Sequence, residues 1–210
     1  SALTSIIIPN SVTSIGEYTF YNCYSLTSPV YNAHSFAYMP TSYSGAYTIS
    51  EGIKQIAGGA FEDCYLLTSV TIPESVTSIG KYTFYNCSSL TSVTIGNSVT
   101  SIGEYTFEGC FSLTSVHITD LAAWCNIDFV DFRANPLNIA HNLYLNGELV
   151  KDLVIPNGVT SIGNSAFNGC SSLTSVTIPD SVTSIGSGAF YGCSSLASIT
   201  CEAENPPTVG

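Results

Sequence analysis

The chain has 210 residues, with four Lys or Arg against fifteen Asp or Glu and a net charge of −11. Four cations are too few for the basic footprint that displaces counterions from nucleic acid, whereas 45% apolar residues argue against disorder. Ser and Thr, 53 residues together, interrupt every apolar run well short of the ~18–20 residues of a membrane span, and eight Cys are too sparse for a small disulfide scaffold.

From the N-terminus, Leu3-Thr-Ser-Ile6-Ile-Ile8 reads as the strand half of a coil. A nine-residue phrase starts at Ile8 and recurs as Ile72-Pro-Glu-Ser-Val-Thr-Ser-Ile-Gly80, then from Ile95, Ile155 and Ile178, with a looser copy at Ile49. The steps 49 to 72, 72 to 95, 95 to 118 and 155 to 178 are each 23 residues. The steps 8 to 49 and 118 to 155 are 41 and 37, so insertions of 18 and 14 residues interrupt a 23-residue array. A fixed period of this size is the signature of a stacked repeat.

The first insertion, about residues 31–48, sets alternating aromatics around a Pro40–Gly45 turn region, which predicts a hairpin or an extra edge strand. In the regular unit that follows, Ile72, Val76, Ile79, Phe84, Cys87, Leu90 and Val93 form a closed apolar circuit. Leu90-Thr-Ser-Val93-Thr-Ile95 has the L-x-x-L-x-L spacing of a leucine-rich-repeat strand, alternating inward and outward at its end. Pro73, Pro156 and Pro179 stop that strand by removing a ladder donor. Val76 to Ile79 reads as a short extended segment on the opposite wall, and Gly16, Gly80, Gly103, Gly163 and Gly186 fit a turn of positive φ. Phe84, Cys87 and Leu90, three apart, predict a short helical or 3₁₀ turn that closes the coil.

The second insertion, about residues 119–152, begins with Asp120 as the N-cap of a short helix through Leu121, Trp124 and Cys125. It ends in strand Asn142–Leu145, an Asn146-Gly147 type I′ turn and strand Glu148–Val150. Both insertions are expected as lateral flaps packed on the array rather than dedicated ligand loops. The chain re-enters the array at Leu153-Val-Ile155, and Val209-Gly210 resembles Ile185-Gly186 one residue beyond the 23-residue period. The predicted fold is a right-handed leucine-rich-repeat-like solenoid of seven or eight coils, one domain over residues 1–210, with short parallel strands in each coil. Neither end reads as a polar capping repeat. The chain is therefore expected to be a segment of a longer array, with weak end-to-end self-association opposed by its charge.

The unit I-P-x-S-V-T-S-I-G-x-x-x-F-x-x-C-x-x-L-T-S-V-T resembles the BspA-type bacterial-surface leucine-rich repeat over nearly the whole chain. Even the insertion segments Phe36–Tyr47 and Asp120–Phe129 resemble ones that recur in that family. The resemblance implies an extracellular or cell-surface location and a role in adhesion to host proteins or other cells. No signal peptide, lipid-attachment Cys or sorting tail is read in these residues, so export is implied by resemblance alone.

Catalytic and metal motifs are not found, and no cofactor is expected: G-x-S-x-G, H-E-x-x-H, C-x-x-C and a Gly-rich phosphate loop are all missing. Asp120, Asp128 and Asp131 match no Ca²⁺ loop and read as surface solvation. Cys23, Cys64, Cys87, Cys110, Cys170 and Cys193 share one inward repeat position. They read either as disulfide staples between coils or as a ladder of buried thiols, and the uniform, parallel placement favours thiols. Asn86-Cys87-Ser88 is a glycosylation sequon inside this ladder, read as coincidence.

The outward strand face, Ser69/Thr71, Ser92/Thr94, Ser115/His117, Ser175/Thr177 and Ser198/Thr200, lacks aromatic or Arg anchors. Eleven of thirteen Tyr lie within residues 1–105. Tyr18, Tyr82 and Tyr105 share one repeat position and Tyr21 and Tyr85 another; with Tyr38, Tyr43 and His117 these are the candidate partner-binding residues. The alternative role for the stripe is amphipathic cover over the closing turns. The function expected is a non-enzymatic protein-binding module. A spacer displaying another domain, or a carbohydrate-binding module using the aromatics of the first insertion, are the alternatives.

Overall fold

The computed structural model describes residues 3–204 and 207–210 and forms a β-solenoid of about eight coils. Two strand walls run its length. One carries Ser35–Tyr38, Gln55–Ile56, Ser78–Ile79, Ser101–Ile102 and Asp128–Phe129, then Ser161–Ile162, Ser184–Ile185 and Thr208–Val209. The other carries Gly45–Thr48, Leu67–Ile72, Ser92–Ile95, Ser115–Ile118 and Leu143–Leu145, then Asp152–Val154, Ser175–Ile178 and Ser198–Cys201. Regular neighbours pair parallel in strict 23-residue register, as in Ser69↔Ser92 and Val70↔Val93, because any slip would turn the inward Val and Ile outward.

The third wall is not a 3₁₀ turn. Tyr85, Cys87 and Leu90 N–H groups donate to carbonyls three residues back, but Tyr82, Phe84 and Asn86 donate to Glu104, Thr106 and Glu108 of the next coil. A 3₁₀ helix would spend every N–H internally; this chain of turns alternates so that half of them point along the axis. The alternation requires left-handed residues at Tyr82 (φ 55°) and Asn86 (φ 58°).

The corner glycines do not adopt the positive φ expected for them; among Gly16, Gly80, Gly103, Gly163 and Gly186, none does. At Gly80, Gly103, Gly163 and Gly186 close approach requires glycine instead. A Cβ on Gly80 would lie 2.4 Å from the backbone N of Gly58, and one on Gly186 2.4 Å from that of Asn164. Thr side chains tighten the same stacking: Thr77, Thr100 and Thr183 each donate both N–H and hydroxyl to one carbonyl of the preceding coil. Inside, Phe61, Phe84 and Phe107 follow one another with centroids 5.0 and 5.3 Å apart.

Both insertions depart from the flaps expected. Residues 35–48 are a shortened coil with a strand in each wall, and the hairpin partner Val30–Tyr31 pairs antiparallel across residues 32–34 rather than around Pro40–Gly45. That hairpin occupies the place in the wall that a regular first coil would fill. Consequently Ser14 and Ile15 do not form a strand; Leu3 to Ile8, on the other wall, is not one either, and side chains help dock the first coil: buried Asn32 donates to Pro9 and Val12 carbonyls at 3.1 and 2.7 Å.

The second insertion does contain the helix Leu121–Cys125, with Asp120 accepting from Ala122 and Ala123 N–H, and the Asn146-Gly147 hairpin with both φ positive. It also completes a coil that the repeat pattern does not announce, through Asp128–Phe129 and a short helix, Leu137–Ala140. Fully buried Asn135 and Trp124 both donate to the Ala166 carbonyl and tie that coil to the next unit. At the C-terminus Val209 pairs with Ile185, although residues 205 and 206 of that last partial unit lie outside the described residues.

All eight cysteines are free thiols in the structure; Cys64, Cys87, Cys110, Cys125, Cys170 and Cys193 are buried, Cys23 is half-buried and Cys201 exposed. Cys87, Cys110 and Cys193 each donate to a carbonyl of the preceding coil at 3.1 Å. Burial pushes the thiols of Cys64, Cys125 and Cys193 up to about 12.

Two outcomes follow. Gly103→Ala is expected to cost ~1–3 kcal/mol of stability by overpacking, since its Cβ would lie 2.6 Å from Lys81 N, whereas Gly16→Ala, with nothing nearer than 3.8 Å, is tolerated; chemical denaturation compares them. Alkylation of native protein at pH 8 should reach Cys201 first and Cys23 next, and unfolding without reductant should expose all eight thiols. An intact Cys87–Cys110 or Cys170–Cys193 disulfide by mass would contradict the ladder of thiols.

Candidate functional site

The outward Ser and Thr of the long-strand wall leave a small-residue surface, broken at His117. Its ring stacks on Tyr144 of the adjacent strand, centroids 4.8 Å apart, because the parallel register sets the two residues side by side. Burial lowers the His117 pKa below the ordinary histidine value. The sequence pointed to His117 but not to Tyr144, which only the coil built by the second insertion brings opposite.

Aromatic side chains gather on the third wall. Tyr82 stacks on Tyr105 at 5.0 Å and 11°, meets Tyr85 edge-on at 5.5 Å, and reaches Tyr18 at 6.0 Å. Tyr18 in turn meets Tyr21 edge-on at 5.6 Å, lying across Gly59. The Arg133 guanidinium caps the far end, 4.6 Å from the Tyr105 centroid. Tyr18, Tyr82, Tyr85 and Tyr105 are half-buried and Tyr21 is exposed. The stripe is thus neither a row of isolated anchors nor buried packing, but a continuous ring ladder with its edges in solvent.

This ladder is built on costly backbone. Tyr18, Tyr82 and Tyr105 have φ of 56°, 55° and 58°, at roughly 1–2 kcal/mol each for an L-residue with a side chain. Gly59 and Gly188 hold the same repeat position without that cost. Three ring contacts at Tyr82, each worth ~0.5–1.5 kcal/mol, offset the strain.

Two candidates are placed otherwise. Tyr38 is buried and its hydroxyl donates to the Cys23 carbonyl, so it packs the first coil and presents no ring to a partner. Tyr43 is half-buried, donates to Ala46 at 2.6 Å and meets Tyr47 edge-on. Asp120 and Asp131 hold backbone N–H groups of their own turns. No group of three His, Cys, Asp or Glu side chains converges among the described residues, and no helix among them is long and apolar enough to cross a membrane.

Sequence reasoning missed Arg133, Tyr24, Glu62 and Asp63. The last two had a readable signal, since Glu62 stands where Tyr21 and Tyr85 stand, and Asp63 where Asn22 and Asn86 stand.

The His117 environment has a checkable consequence. The neutral ring is favoured by the fold, so this group's contribution to stability is present above the ordinary histidine pKa and is lost as pH falls through the lowered folded value. NMR titration should find His117 below 6.5 in the native protein, and Tyr144→Ala should return it toward 6.5 by uncovering the ring.

Comparison with known proteins agrees with this architecture. No curated protein matches the chain. A leucine-rich cell surface protein from Faecalibacterium prausnitzii A2-165 is 29% identical over 95% of this chain and 48% of its own, with a TM-score of 0.47. This chain thus spans about half the length of that relative. The T. pallidum leucine-rich repeat protein, 23% identical over 83% of this chain and 77% of its own, has a TM-score of 0.52 and shares the fold. A leucine-rich repeat protein from Bacteroides ovatus is 25% identical over 78% of this chain and 48% of its own, TM-score 0.41. The family model described as the BspA type leucine rich repeat region matches six times, over residues 1–36, 32–126 and 137–206, and the chain belongs to that family.

Proposed function

We propose that this chain is a non-enzymatic protein-binding module of a cell-surface or secreted protein, acting in adhesion or host interaction. The observation that carries the reading is the ring ladder Tyr18, Tyr82 and Tyr105 with Tyr21 and Tyr85 beside it, held at strained φ where glycine would serve the fold. Tyr and Arg are the side chains that dominate protein interfaces, because they bury large amphipathic area at low conformational cost. Membership of the BspA-type family, which is typically surface-associated, supports the location. The strand face offers one stacked pair, His117 on Tyr144, against five clustered tyrosines and Arg133 on the ladder, which makes the third wall the better surface for a partner.

Tyr82→Gly tests this without breaking the fold, since Gly59 and Gly188 already occupy the equivalent position. Immobilised wild-type protein is screened against host extracellular-matrix proteins by biolayer interferometry. The expected result is saturable binding that falls at least about tenfold in the variant, with the melting temperature nearly unchanged. Binding unaffected by Tyr82→Gly would remove the ladder from the interface, and silence across the panel would favour a spacer that displays another domain.

A further inference from the structure

The shortened coil leaves a gap in the third wall. Six residues, 39–44, connect its two strands, where twelve, 80–91, connect the corresponding strands of a regular coil. No complete closing turn therefore separates the first coil from the third, and Tyr18 N–H donates directly to the Gly58 carbonyl. The gap forms a cleft walled by Tyr18, Tyr21 and Tyr24 from one side and by Glu62 and Asp63 from the other, with Tyr38 beside them. Its interior has about 20 Å³ of free space, room for one water-sized group.

The chemistry of the walls is one-sided. Glu62 Oε2 is buried in this cleft and meets no hydrogen-bond donor among the described residues. Burial, then the neighbouring Asp63 charge, raises the pKa of Glu62, and the Glu62 charge is in turn the main cause raising that of Tyr21. Lys81, the nearby cation, is engaged with Glu104 at 3.1 Å. At the opposite end of the same ring ladder the molecule supplies its own cation, Arg133 over Tyr105. The Tyr18 end has equivalent aromatic walls, a carboxylate as well, and no cation on it among the described residues.

We propose that this cleft receives the ammonium group of a lysine side chain on a protein partner, seated against the Glu62 carboxylate and the rings of Tyr18, Tyr21 and Tyr24. The compact ammonium on a flexible stem matches an opening the size of one water, whereas a planar guanidinium does not. Ring faces and a partly desolvated carboxylate both attract it. The inference rests on the protein-binding reading above and names the group that would be recognised.

The test titrates ¹⁵N-labelled protein with acetyl-Gly-Lys-Gly-amide and with its norleucine, Nε-acetyllysine and arginine counterparts. Saturable shifts at Gly58, Gly59 and Asp63 are expected with the lysine peptide alone. Glu62→Gln should weaken them at least about tenfold while leaving the fold intact, because Oε2 accepts no bond that the amide would lose. Tyr21→Ser, at an exposed ring, provides a second variant that weakens binding through the wall instead. No saturable shift, an equal response to norleucine or arginine, or full binding by a folded Glu62→Gln would overturn the proposal. Matrix-protein binding that survives Glu62→Gln would overturn the lysine site alone. Peptide binding with a silent panel would instead leave the lysine site standing and count against the adhesion reading.

Discussion

The main-chain hydrogen bonds that run along the solenoid axis, one coil to the next, set the terms for everything else in this molecule. A single coil buries its apolar side chains against neighbours and has few long-range bonds of its own. Every wall therefore gives up backbone N–H groups to the adjoining coil: in both strand walls by parallel pairing, and in the third by alternate turns. That requirement explains the left-handed residues at Tyr82 and Asn86 and the glycines at the corners, two features that a reading of turns in isolation would confuse.

Because the spacing along the axis is fixed by the backbone, side chains at equivalent positions must stack on copies of themselves. Inside, this gives a Phe column and a file of thiols that donate to carbonyls one coil back. Outside, it gives threonine hydroxyls repeated on one carbonyl after another and a ladder of tyrosines. The same periodicity that builds the core thus manufactures extended surfaces without further design. Departures from it are where distinct chemistry arises. The short first insertion opens the acidic, ring-walled cleft, and the second brings Tyr144 beside His117 and Arg133 over Tyr105.

The BspA-type repeat accounts for the scaffold and leaves distinct surface chemistry to residues that vary between units. Position 18 of this chain and its counterparts hold Tyr, Gly, Tyr, Tyr, Ser and Gly at residues 18, 59, 82, 105, 165 and 188. All six have positive φ, so backbone geometry permits the choice and function can use it.

The sequence by itself determined the period, the inward circuit, the strand register, the Asp120-capped helix and the Asn146-Gly147 hairpin. Each of these depends on local pattern or on spacing, which stacking converts directly into contacts. Tertiary structure alone decided what the corner glycines are for, since a Cβ clash with the neighbouring coil leaves no mark on a residue's own φ. It alone decided that Ser14 and Ile15 do not form a strand, because Val30–Tyr31 takes the place beside Ser35–Tyr38 that this segment of a regular first coil would fill. The Tyr18–Glu62 cleft belongs to the same class. Its walls are 44 residues apart in sequence, and they meet because a coil too short to complete the third wall lets its neighbours close over it.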